Sequence, residues 1–256
     1  MHAMVLAAGR GERMRPLTDH LPKPLLSVAG QALIAWHLQG LANAGFHEVF
    51  INTAHLGHLI EEALGDGQHF GLQLHYSREP EGALETAGGI ATAQPWRSDD
   101  EPFLVINGDI FCQWPFIKAV EIGQGLKTTR RGEAQLEGAN AAHQAVTVTP
   151  SLLGHLVMVP NPPHHPKGDF CLLENGLLGL ANASEQDTLT YSGIGVFLPS
   201  LFQGITPGTR AALGPLLKSA IAAGRIQGEA YTGPWTDVGT PERLAALNQQ
   251  LHSAKP

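Results

Sequence analysis

The chain has 256 residues with a formal net charge of −7, and 43% of its residues are hydrophobic while 15% are charged. This composition is that of a globular protein rather than a disordered one, and the length allows a sizeable hydrophobic core. The acidic balance argues against a broad basic surface for nucleic acid, so a bound nucleotide would need cations gathered locally.

The sequence carries no obvious targeting or redox signal. The apolar run at the N-terminus is too short for a signal peptide, and no stretch is long and apolar enough to span a bilayer. We therefore expect a cytoplasmic protein with no membrane partner. The two cysteines, Cys112 and Cys171, are not in a CxxC pair, and we expect them to be reduced, partly buried thiols.

The first predicted elements are a short buried strand from Met4 to Ala8 and a glycine-bearing turn. Gly9 and Gly11 allow positive φ and a close approach of the backbone to a ligand. Successive amides in such a turn form a concave anion site. The same segment supplies four cations, Arg10, Arg13, Arg15 and Lys23. Together these features predict a polyphosphate site.

The spacing differs from the P-loop, which needs Gly-Lys-Ser/Thr after four intervening residues, and from the dinucleotide fingerprint, which has a third glycine and an acidic ribose ligand. The string Leu-Ala-Ala-Gly-Arg-Gly-Glu-Arg-Met-Arg-Pro-Leu-Thr at 6–18, followed by Pro-Lys-Pro-Leu at 22–25, instead resembles the signature of the sugar-1-phosphate nucleotidyltransferases. Within that family the chain is most similar to the N-acetylmuramate-1-phosphate uridylyltransferases of bacterial cell-wall recycling.

The resemblance implies roles for this segment. The triphosphate would be bound by Ala8, Gly9, Gly11, Glu12 and Arg13. Arg15 would balance the β- and γ-phosphates, and Lys23 would contact the α-phosphate and stabilise charge in the transition state. Pro22 and Pro24 flank Lys23 and are expected to fix an extended segment that presents its ammonium at a set place.

Helices and strands then alternate. Apolar spacing predicts a helix over 31–43 that ends at Gly45, a strand at 49–51, a helix at 56–64 and a strand at 72–76. This order predicts an α/β fold with a mixed, mostly parallel central sheet flanked by helices. The resemblance implies the Rossmann-like nucleotidyltransferase version of that fold.

Residues 79–90 form a second glycine-bearing segment, which the resemblance implies recognises the nucleobase. Thr86 is expected to cap a helix running to Ala93, and Gly88 would let a flat base lie on the backbone. Glu85 could accept a hydrogen bond from uracil N3–H or from guanine N1–H, so the residues leave the base open, and the resemblance favours uridine. An ordinary helix start is the alternative interpretation.

Two aspartates are candidate metal ligands. The apolar strand 103–107 leads to Asp109 at its carboxyl edge, where ligands of open α/β sheets bind. Asp109 is a hard oxygen donor suited to Mg²⁺ held jointly with phosphates, although it could instead cap the next turn. Asp237, in the segment Trp235–Glu242, matches the second metal-binding aspartate that the resemblance implies. Pro241 is expected to begin the last helix.

The sugar side is predicted from three segments. Asn107 could hydrogen-bond the sugar. The string Asn-Pro-Pro-His-His-Pro-Lys-Gly-Asp-Phe at 161–170 resembles the sugar-side loop of the muramate-phosphate enzymes, which makes Asp169 either a sugar ligand or a turn-stabilising aspartate. The strand 191–197 resembles the sugar-lining segment, which implies that Ser192 and Gly193 contact the sugar.

We expect a single nucleotidyltransferase domain over 1–256, with a nucleotide-binding part at 1–115, a variable insertion at 118–150, a sugar-binding part at 151–240 and a C-terminal helix at 241–252. For 116–150 we expect a helix and then a mobile loop. The basic run at 127–131 lacks aromatic neighbours and does not predict a nucleic-acid site.

The expected reaction joins a nucleoside triphosphate to a sugar 1-phosphate and releases pyrophosphate. The sugar phosphate is already an anion, so the site acts by positioning and electrostatics rather than through a base. UTP, N-acetylmuramate 1-phosphate and Mg²⁺ are the favoured substrates and cofactor. The alternatives are glucose or mannose 1-phosphate with dTTP, UTP or GTP, or a non-catalytic nucleotide-sugar sensor. A sensor usually loses loop cations or metal aspartates, which this chain keeps.

Overall fold

The computed structural model describes residues 1–80, 84–96, 101–139, 151–181 and 187–253. Within these ranges the strands are β1 Ala3–Leu6, β2 Ser27–Val28, β3 Gln31–Ala32, β4 Glu48–Thr53, β5 Gln73–Arg78, β6 Phe103–Asn107, β7 Ile110–Cys112, β8 Gly154–Val159, β9 Phe170–Leu172, β10 Leu178–Leu180, β11 Thr188–Phe197, β12 Ile226–Ala230 and β13 Trp235–Asp237. The helices are α1 Leu33–Asn43, α2 Gly57–Leu64, α3 Glu85–Ala93, α4 Ile117–Ala139, α5 Leu213–Ala222 and α6 Pro241–Ser253.

The central sheet has the order β10-β9-β11-β6-β1-β4-β5, with β8 pairing β11 and β12. β1 runs parallel to both β4 and β6, and β4 runs parallel to β5. β11 is antiparallel to β6, β8 and β9. The predicted α/β fold, with a mixed central sheet flanked by helices, is confirmed.

Apolar side chains cover both faces of the sheet. On one face Ile34 and Leu38 of α1 and Ile60 of α2 pack in a cluster with Val5. On the other face Ile90 of α3 and Leu217 of α5 pack in a cluster with Met4. Successive residues of a strand point to opposite faces, so a strand buried on both sides reads as a continuous apolar run. This explains why the first strand was evident in the sequence.

The parallel strands end at one edge of the sheet, and this edge positions the loops described below. Leu6 of β1 is in register with Asn52 of β4 and with Asn107 of β6. The Gly108 amide donates to the Leu6 carbonyl at 2.8 Å, which ties the loop after β6 to the end of β1. The short sheet β7–β13 adds the segment around Asp109 and Asp237 to the same edge.

Several local predictions need correction. The helix predicted over 31–43 begins at Leu33, because Gln31–Ala32 pair with Ser27–Val28 in a small hairpin. Gly45, just after this helix, has a φ of 80°, the left-handed conformation that glycine commonly adopts at the end of a helix. Thr86 does not cap α3, which begins at Glu85 without a side-chain cap. The Ala211 carbonyl accepts from the Ala87 and Gly88 amides instead. These hydrogen bonds satisfy two amide groups at the start of the helix.

Two further expectations can be placed on the structure. Residues 116–150 were expected to form a helix and a loop: α4 ends at Ala139, and the expected loop at 140–150 lies outside the described residues. Cys112 and Cys171 are both buried rather than partly buried, and neither forms a disulfide. Among the described helices, none combines the length and apolarity that crossing a membrane requires.

Candidate active site

A cleft of about 640 Å³ opens at the carboxyl edge of the parallel strands, a size in the usual range for small-molecule sites. Its walls come from the loop after β1, the ends of β4 and β6, the start of α3 and the segment after β13. The predicted site residues that line it are Ala8, Gly9, Gly11, Glu12, Arg13, Lys23, Glu85, Thr86, Asn107 and Asp109. The remaining predicted residues, Arg15, Gly88, Asp169, Ser192, Gly193 and Asp237, are not among its lining.

The glycine turn is built around Gly11. Its φ of 69 is in the left-handed region, and a Cβ there would lie 3.1 Å from the Thr18 methyl and 3.3 Å from Lys23 Cβ. Thr18 is buried and donates from its hydroxyl to the Gly11 carbonyl at 2.9 Å. Gly9 differs from the expectation, because its φ is not positive and its Cβ position is open, with nothing within 4 Å. The open side of Gly9 leaves room for a ligand to approach the backbone.

Two of the three arginines of this loop, Arg10 and Arg15, are paired with neighbouring carboxylates. Arg10 Nε lies 2.7 Å from Glu12 Oε1, and Arg15 Nε donates to Asp19 Oδ1 at 2.7 Å. This hydrogen bond raises the pKa of Arg15 and lowers that of Asp19. Arg15 is exposed and does not line the cleft, so a phosphate contact would require its pair with Asp19 to open.

Lys23 is the buried cation of the cleft. Pro22 is extended as predicted, whereas Lys23–Leu25 form one turn of 3₁₀ helix rather than an extended segment. The Lys23 side chain is only 8% exposed, and its Nζ donates to Asp109 Oδ2 at 2.8 Å. A buried ammonium needs such a partner, because an unpaired charge in this position would be strongly unfavourable.

Asp237 lies beside Asp109. It pairs in register with Ile110 across β7–β13, and the Val238 amide donates to the Asp109 carbonyl at 2.9 Å. Its own carboxylate contacts Arg243 of α6 through Oδ2 and His164 through Oδ1, the latter at 3.0 Å. The structure therefore brings Lys23 and Asp109 into contact in the cleft and places Asp237 on the adjoining strand, outside the cleft lining.

The donor chemistry of Asp109 and Asp237 fits Mg²⁺, which is bound through one or two carboxylates with substrate phosphates and water. Within the described ranges no group of three or more His, Cys, Asp or Glu side chains forms a complete metal centre. A divalent ion here would therefore depend on its nucleotide substrate for further ligands.

His37 of α1 contacts the start of strand β7, next to Asp109. It is fully buried on α1, and desolvation lowers its pKa to about 4, so the ring is neutral near pH 7. The Nε2 atom lies 2.8 Å from the Ile110 carbonyl and donates to it in that neutral form. This bond joins α1 to β7, the strand that starts one residue after Asp109. The sequence analysis did not identify His37, because a single histidine on an apolar helix face gives no sign of a functional role.

Glu79 is a second residue that the sequence reading missed. It follows β5 directly, lines the cleft and accepts at Oε1 from Asn52 Nδ2 at 2.8 Å. Asn52 is itself buried and accepts from the Ala7 amide at 2.8 Å. Burial raises the pKa of Glu79. A carboxylate at the carboxyl end of a strand beside proline was the signal that could have found it.

The predicted base-binding residues have other contacts as well. Glu85 lines the cleft with an unusual φ of 53, and Arg210 holds its carboxylate at 2.7 Å through Nε. Gly88 faces a different segment, because a Cβ there would lie 2.2 Å from the Thr209 carbonyl oxygen. A base stacked on that side of Gly88 would need the space that Thr209 occupies. The glycine at this position instead allows the chain at 209–211 to cross α3.

The sugar-side residues divide into two groups. Asn107 lines the cleft and packs on Gly193, whose φ is 84 and whose Cβ would lie 2.7 Å from Asn107 Nδ2. Ser192 is buried, and its hydroxyl accepts from the Ile194 amide at 3.2 Å. Asp169 accepts from the Tyr191 amide at 2.8 Å and contacts His165 at 3.1 Å. These contacts give Asp169 the turn-stabilising arrangement, and its contact with a sugar stays a prediction.

Comparisons with known proteins agree with this geometry. The nucleotidyl transferase family matches residues 2–129. An N-acetylmuramate alpha-1-phosphate uridylyltransferase from Neisseria meningitidis serogroup B is 46% identical over 245 residues, which is 95% of each chain. A protein of the same name from Caulobacter vibrioides is 33% identical over 98% of this chain and 97% of its own.

Solved structures share the fold at much lower identity. A Bacillus anthracis protein crystallised with sucrose, to which glucose-1-phosphate thymidylyltransferase activity is ascribed, has a TM-score of 0.75 at 18% identity and is covered over 97% of its length. HddC from Yersinia pseudotuberculosis, complexed with GMP-PN, has a TM-score of 0.69 at 14% identity and is covered over 99%.

Proposed function

The chain belongs to the nucleotidyl transferase family, and we propose that it joins UTP to N-acetylmuramate 1-phosphate, forming UDP-N-acetylmuramate and pyrophosphate. The observation that carries the proposal is the meeting of the glycine turn, Lys23 and Asp109 at one cleft, with Asp237 on the adjoining strand in register with Ile110. Similarity over 95% of the chain to a uridylyltransferase of this substrate supports the choice of sugar and a place in peptidoglycan recycling. The nucleotide substrate suggests that the reaction occurs in the cytoplasm.

The reaction is a displacement at phosphorus. A phosphate oxygen of the sugar 1-phosphate attacks the α-phosphorus of UTP, and the bond from that phosphorus to the bridging oxygen of the β-phosphate breaks. Pyrophosphate leaves with the bonding electron pair. The attacking oxygen carries no proton near neutral pH, so the protein's task is to bring two anions together in line.

The glycine turn and its cations would hold the triphosphate. The backbone of Ala8, Gly9 and Gly11, with Glu12 and Arg13, would surround it, and Arg15 would exchange Asp19 for the β- and γ-phosphates. Lys23 would contact the α-phosphate. Its ammonium is buried, so the interaction acts in a low-dielectric setting where it is strongest. Asp109 and Asp237 would hold Mg²⁺, which when bound supplies charge neutralisation on the phosphates.

We assign the main contact with the base to Glu79. Its carboxylate is held by Asn52 through one oxygen and faces the cleft, whereas Glu85 is engaged by Arg210. A carboxylate accepts from uracil N3–H, although guanine N1–H offers the same donor. Thr86 lines the same wall, and Gly88 would act by holding α3 against 209–211.

On the sugar side, Asn107 is the residue best placed for a direct contact, because it lines the cleft. Gly193 and Ser192 would shape this wall through the bulge of β11, where the pairing with β8 shifts between Tyr191 and Ile194. Asp169 would act by fixing the loop 161–169 to Tyr191, or by contacting a sugar hydroxyl if His165 turns away.

A matrix of pyrophosphate-release assays tests this function. UTP, dTTP and GTP are each combined with N-acetylmuramate, glucose and mannose 1-phosphate, with the Lys23→Ala variant as the background control. We expect the highest kcat/KM for UTP with N-acetylmuramate 1-phosphate. A preference for glucose 1-phosphate would contradict the assigned sugar and leave the reaction class intact. No turnover with any pair would contradict the enzymatic assignment.

A further inference from the structure

The carboxylate of Asp237, the proposed second metal ligand, contacts two other side chains of the protein. The Arg243 guanidinium contacts Oδ2 and also reaches the Asp237 backbone carbonyl, while His164 Nε2 lies 3.0 Å from Oδ1. His164 Nε2 lies 2.9 Å from Arg243 Nη1 as well, so the three side chains form one cluster. Both carboxylate oxygens of Asp237 therefore have a protein partner.

The position of Arg243 is not explained by the stability of its helix. Arg243 lies in the first turn of α6, where the helix macrodipole disfavours a cation. The Gly239 position shows why the guanidinium can lie there: a Cβ would be 2.7 Å from Arg243 Nη2 and 3.1 Å from Asp237 Oδ2. Gly239 lines the cleft, so the Arg243–Asp237 pair packs against a residue of the cleft wall without lining the cleft itself.

The cluster also connects to the predicted sugar side. His164 belongs to the loop that Asp169 fastens to the Tyr191 amide of β11. The neighbouring Trp235 of β13 donates from Nε1 to the Ser192 carbonyl at 2.9 Å. The loop that carries His164 and the strand that carries Asp237 are thus each hydrogen-bonded to the segment predicted to line the sugar.

We propose that Arg243 and His164 are exchangeable partners of Asp237, which pass to an oxyanion of the sugar substrate when a divalent ion occupies Asp237. This proposal rests on the proposed function. The oxyanion is the phosphate of the sugar 1-phosphate or the carboxylate of its lactyl ether. Arg243 contacts the carboxylate of Asp237, and a planar guanidinium recognises carboxylate and phosphate equally well.

The physical reason for an exchange is charge. A divalent ion and a guanidinium repel one another and compete for the same carboxylate oxygens, so Asp237 does not serve both at once. Release of Arg243 alone would leave a guanidinium unpaired beside the ion. Arrival of the sugar's oxyanion supplies the missing partner, which makes binding of the ion and of the sugar mutually favourable.

The first test is a Mn²⁺ titration followed by electron paramagnetic resonance on the protein saturated with a non-hydrolysable UTP analogue, without sugar 1-phosphate. In Arg243→Met the competitor for Asp237 is absent, and we expect Mn²⁺ to bind about fivefold more tightly, the effect of removing one partly exposed ion pair. Arg78→Met is the matched control, because Arg78 pairs with Glu61 and does not line the cleft. It is expected to leave Mn²⁺ affinity unchanged.

The second test is steady-state kinetics. In Arg243→Met we expect KM for the sugar 1-phosphate to rise about tenfold with KM for UTP unchanged, as for loss of one charge-assisted contact. An equal rise for N-acetylmuramate and N-acetylglucosamine 1-phosphates identifies the phosphate as the oxyanion. A rise for the muramate substrate alone identifies its carboxylate. Arg243→Lys, which keeps the charge without the fork, is expected to lie between wild type and Arg243→Met.

Unchanged or weaker Mn²⁺ binding in Arg243→Met overturns the exchange, and so does an unchanged KM for the sugar 1-phosphate. Failure of the proposed function is distinguishable. If wild-type protein turns over no sugar 1-phosphate, the Mn²⁺ titration still decides whether Arg243 competes for Asp237, because it requires no turnover.

Discussion

The Lys23 ammonium lies 2.8 Å from the Asp109 carboxylate, although 86 positions separate the two residues in the chain. Lys23 is buried, whereas the Asp109 side chain is 46% exposed at the cleft. The pair therefore fixes the cation of the first loop against the end of β6. Because Lys23 Cβ also packs on the Gly11 position, the glycine turn and the cation form one preassembled unit.

Replacement of Lys23 by alanine should act mainly on turnover. A contact that strengthens as charge develops lowers the barrier more than it aids ground-state binding, so we expect kcat to fall about a hundredfold or more with a small change in KM for UTP. Pyrophosphate release measures both constants. Lys118→Ala is the control, since Lys118 is a surface lysine paired with Glu229. A change confined to KM would reduce Lys23 to a ground-state binding residue.

Asp109→Asn and Asp237→Asn each remove one carboxylate charge while keeping side-chain size. We expect each to lower turnover roughly a hundredfold at limiting Mg²⁺, the scale of losing one electrostatic stabiliser, with partial recovery at high Mg²⁺. Glu61→Gln, which breaks the pair with Arg78 away from the cleft, provides the comparison. Unchanged turnover of both aspartate variants at limiting Mg²⁺ would remove the metal assignment.

Glu79→Gln separates base recognition from stability. The amide keeps an oxygen to accept from Asn52 but presents a weaker acceptor to uracil N3–H, and we expect KM for UTP to rise about tenfold. Burial raises the pKa of Glu79, so its charged form is less favourable in the folded protein than in the unfolded chain. The melting temperature of the variant at pH 7 should therefore rise. A fall in both melting temperature and activity would indicate a structural role for this carboxylate.

Local sequence patterns predicted individual site residues better than they predicted their partners. Lys23 and Asp109 each stood out beside proline or at a strand end, but only the tertiary fold joins them. Glu79 lay within the predicted base-recognition segment 79–90 but was not singled out, because the strand was expected to end at Tyr76, whereas pairing of Thr53 with Arg78 extends β5 to the residue before Glu79. Arg243 was missed because its significance comes from Asp237, six positions earlier, and from His164 in another segment.

The glycine segment of α3 shows the same limit. The glycines at residues 88–89 were expected to let a flat base lie on the backbone, but the groups that lie against them in the structure belong to the protein. At Gly88 the approaching group is the backbone at 209–211, and at Gly89 it is the Glu79 carboxylate, which a Cβ would meet at 2.5 Å. Long-range packing decides these contacts, and no local propensity contains that information.

Gly88→Ala tests this reading of α3. The new methyl would lie 2.2 Å from the Thr209 carbonyl, a backbone atom that cannot rotate away, so we expect a loss of about 1–3 kcal/mol in the free energy of unfolding. Gly125→Ala in α4 is the matched control, since nothing lies within 4 Å of its Cβ position. There alanine should stabilise the helix by about 0.5–1 kcal/mol. Urea denaturation measures both, and equal effects would contradict the packing role of Gly88.

His37 predicts how stability depends on pH. Desolvation lowers its pKa from 6.5 to about 4 in the folded protein. Between those values the unfolded chain binds a proton at this ring that the folded protein does not, so the contribution of neutral His37 is present above pH 6.5 and is lost as pH falls toward 4. In His37→Gln, which keeps an N–H to donate to the Ile110 carbonyl, the fall in melting temperature over this window should be shallower than in wild type. His58→Gln, at an exposed position on α2, should keep the wild-type slope. If His37→Gln and wild type lose stability in parallel over that window, proton uptake on unfolding belongs to other groups.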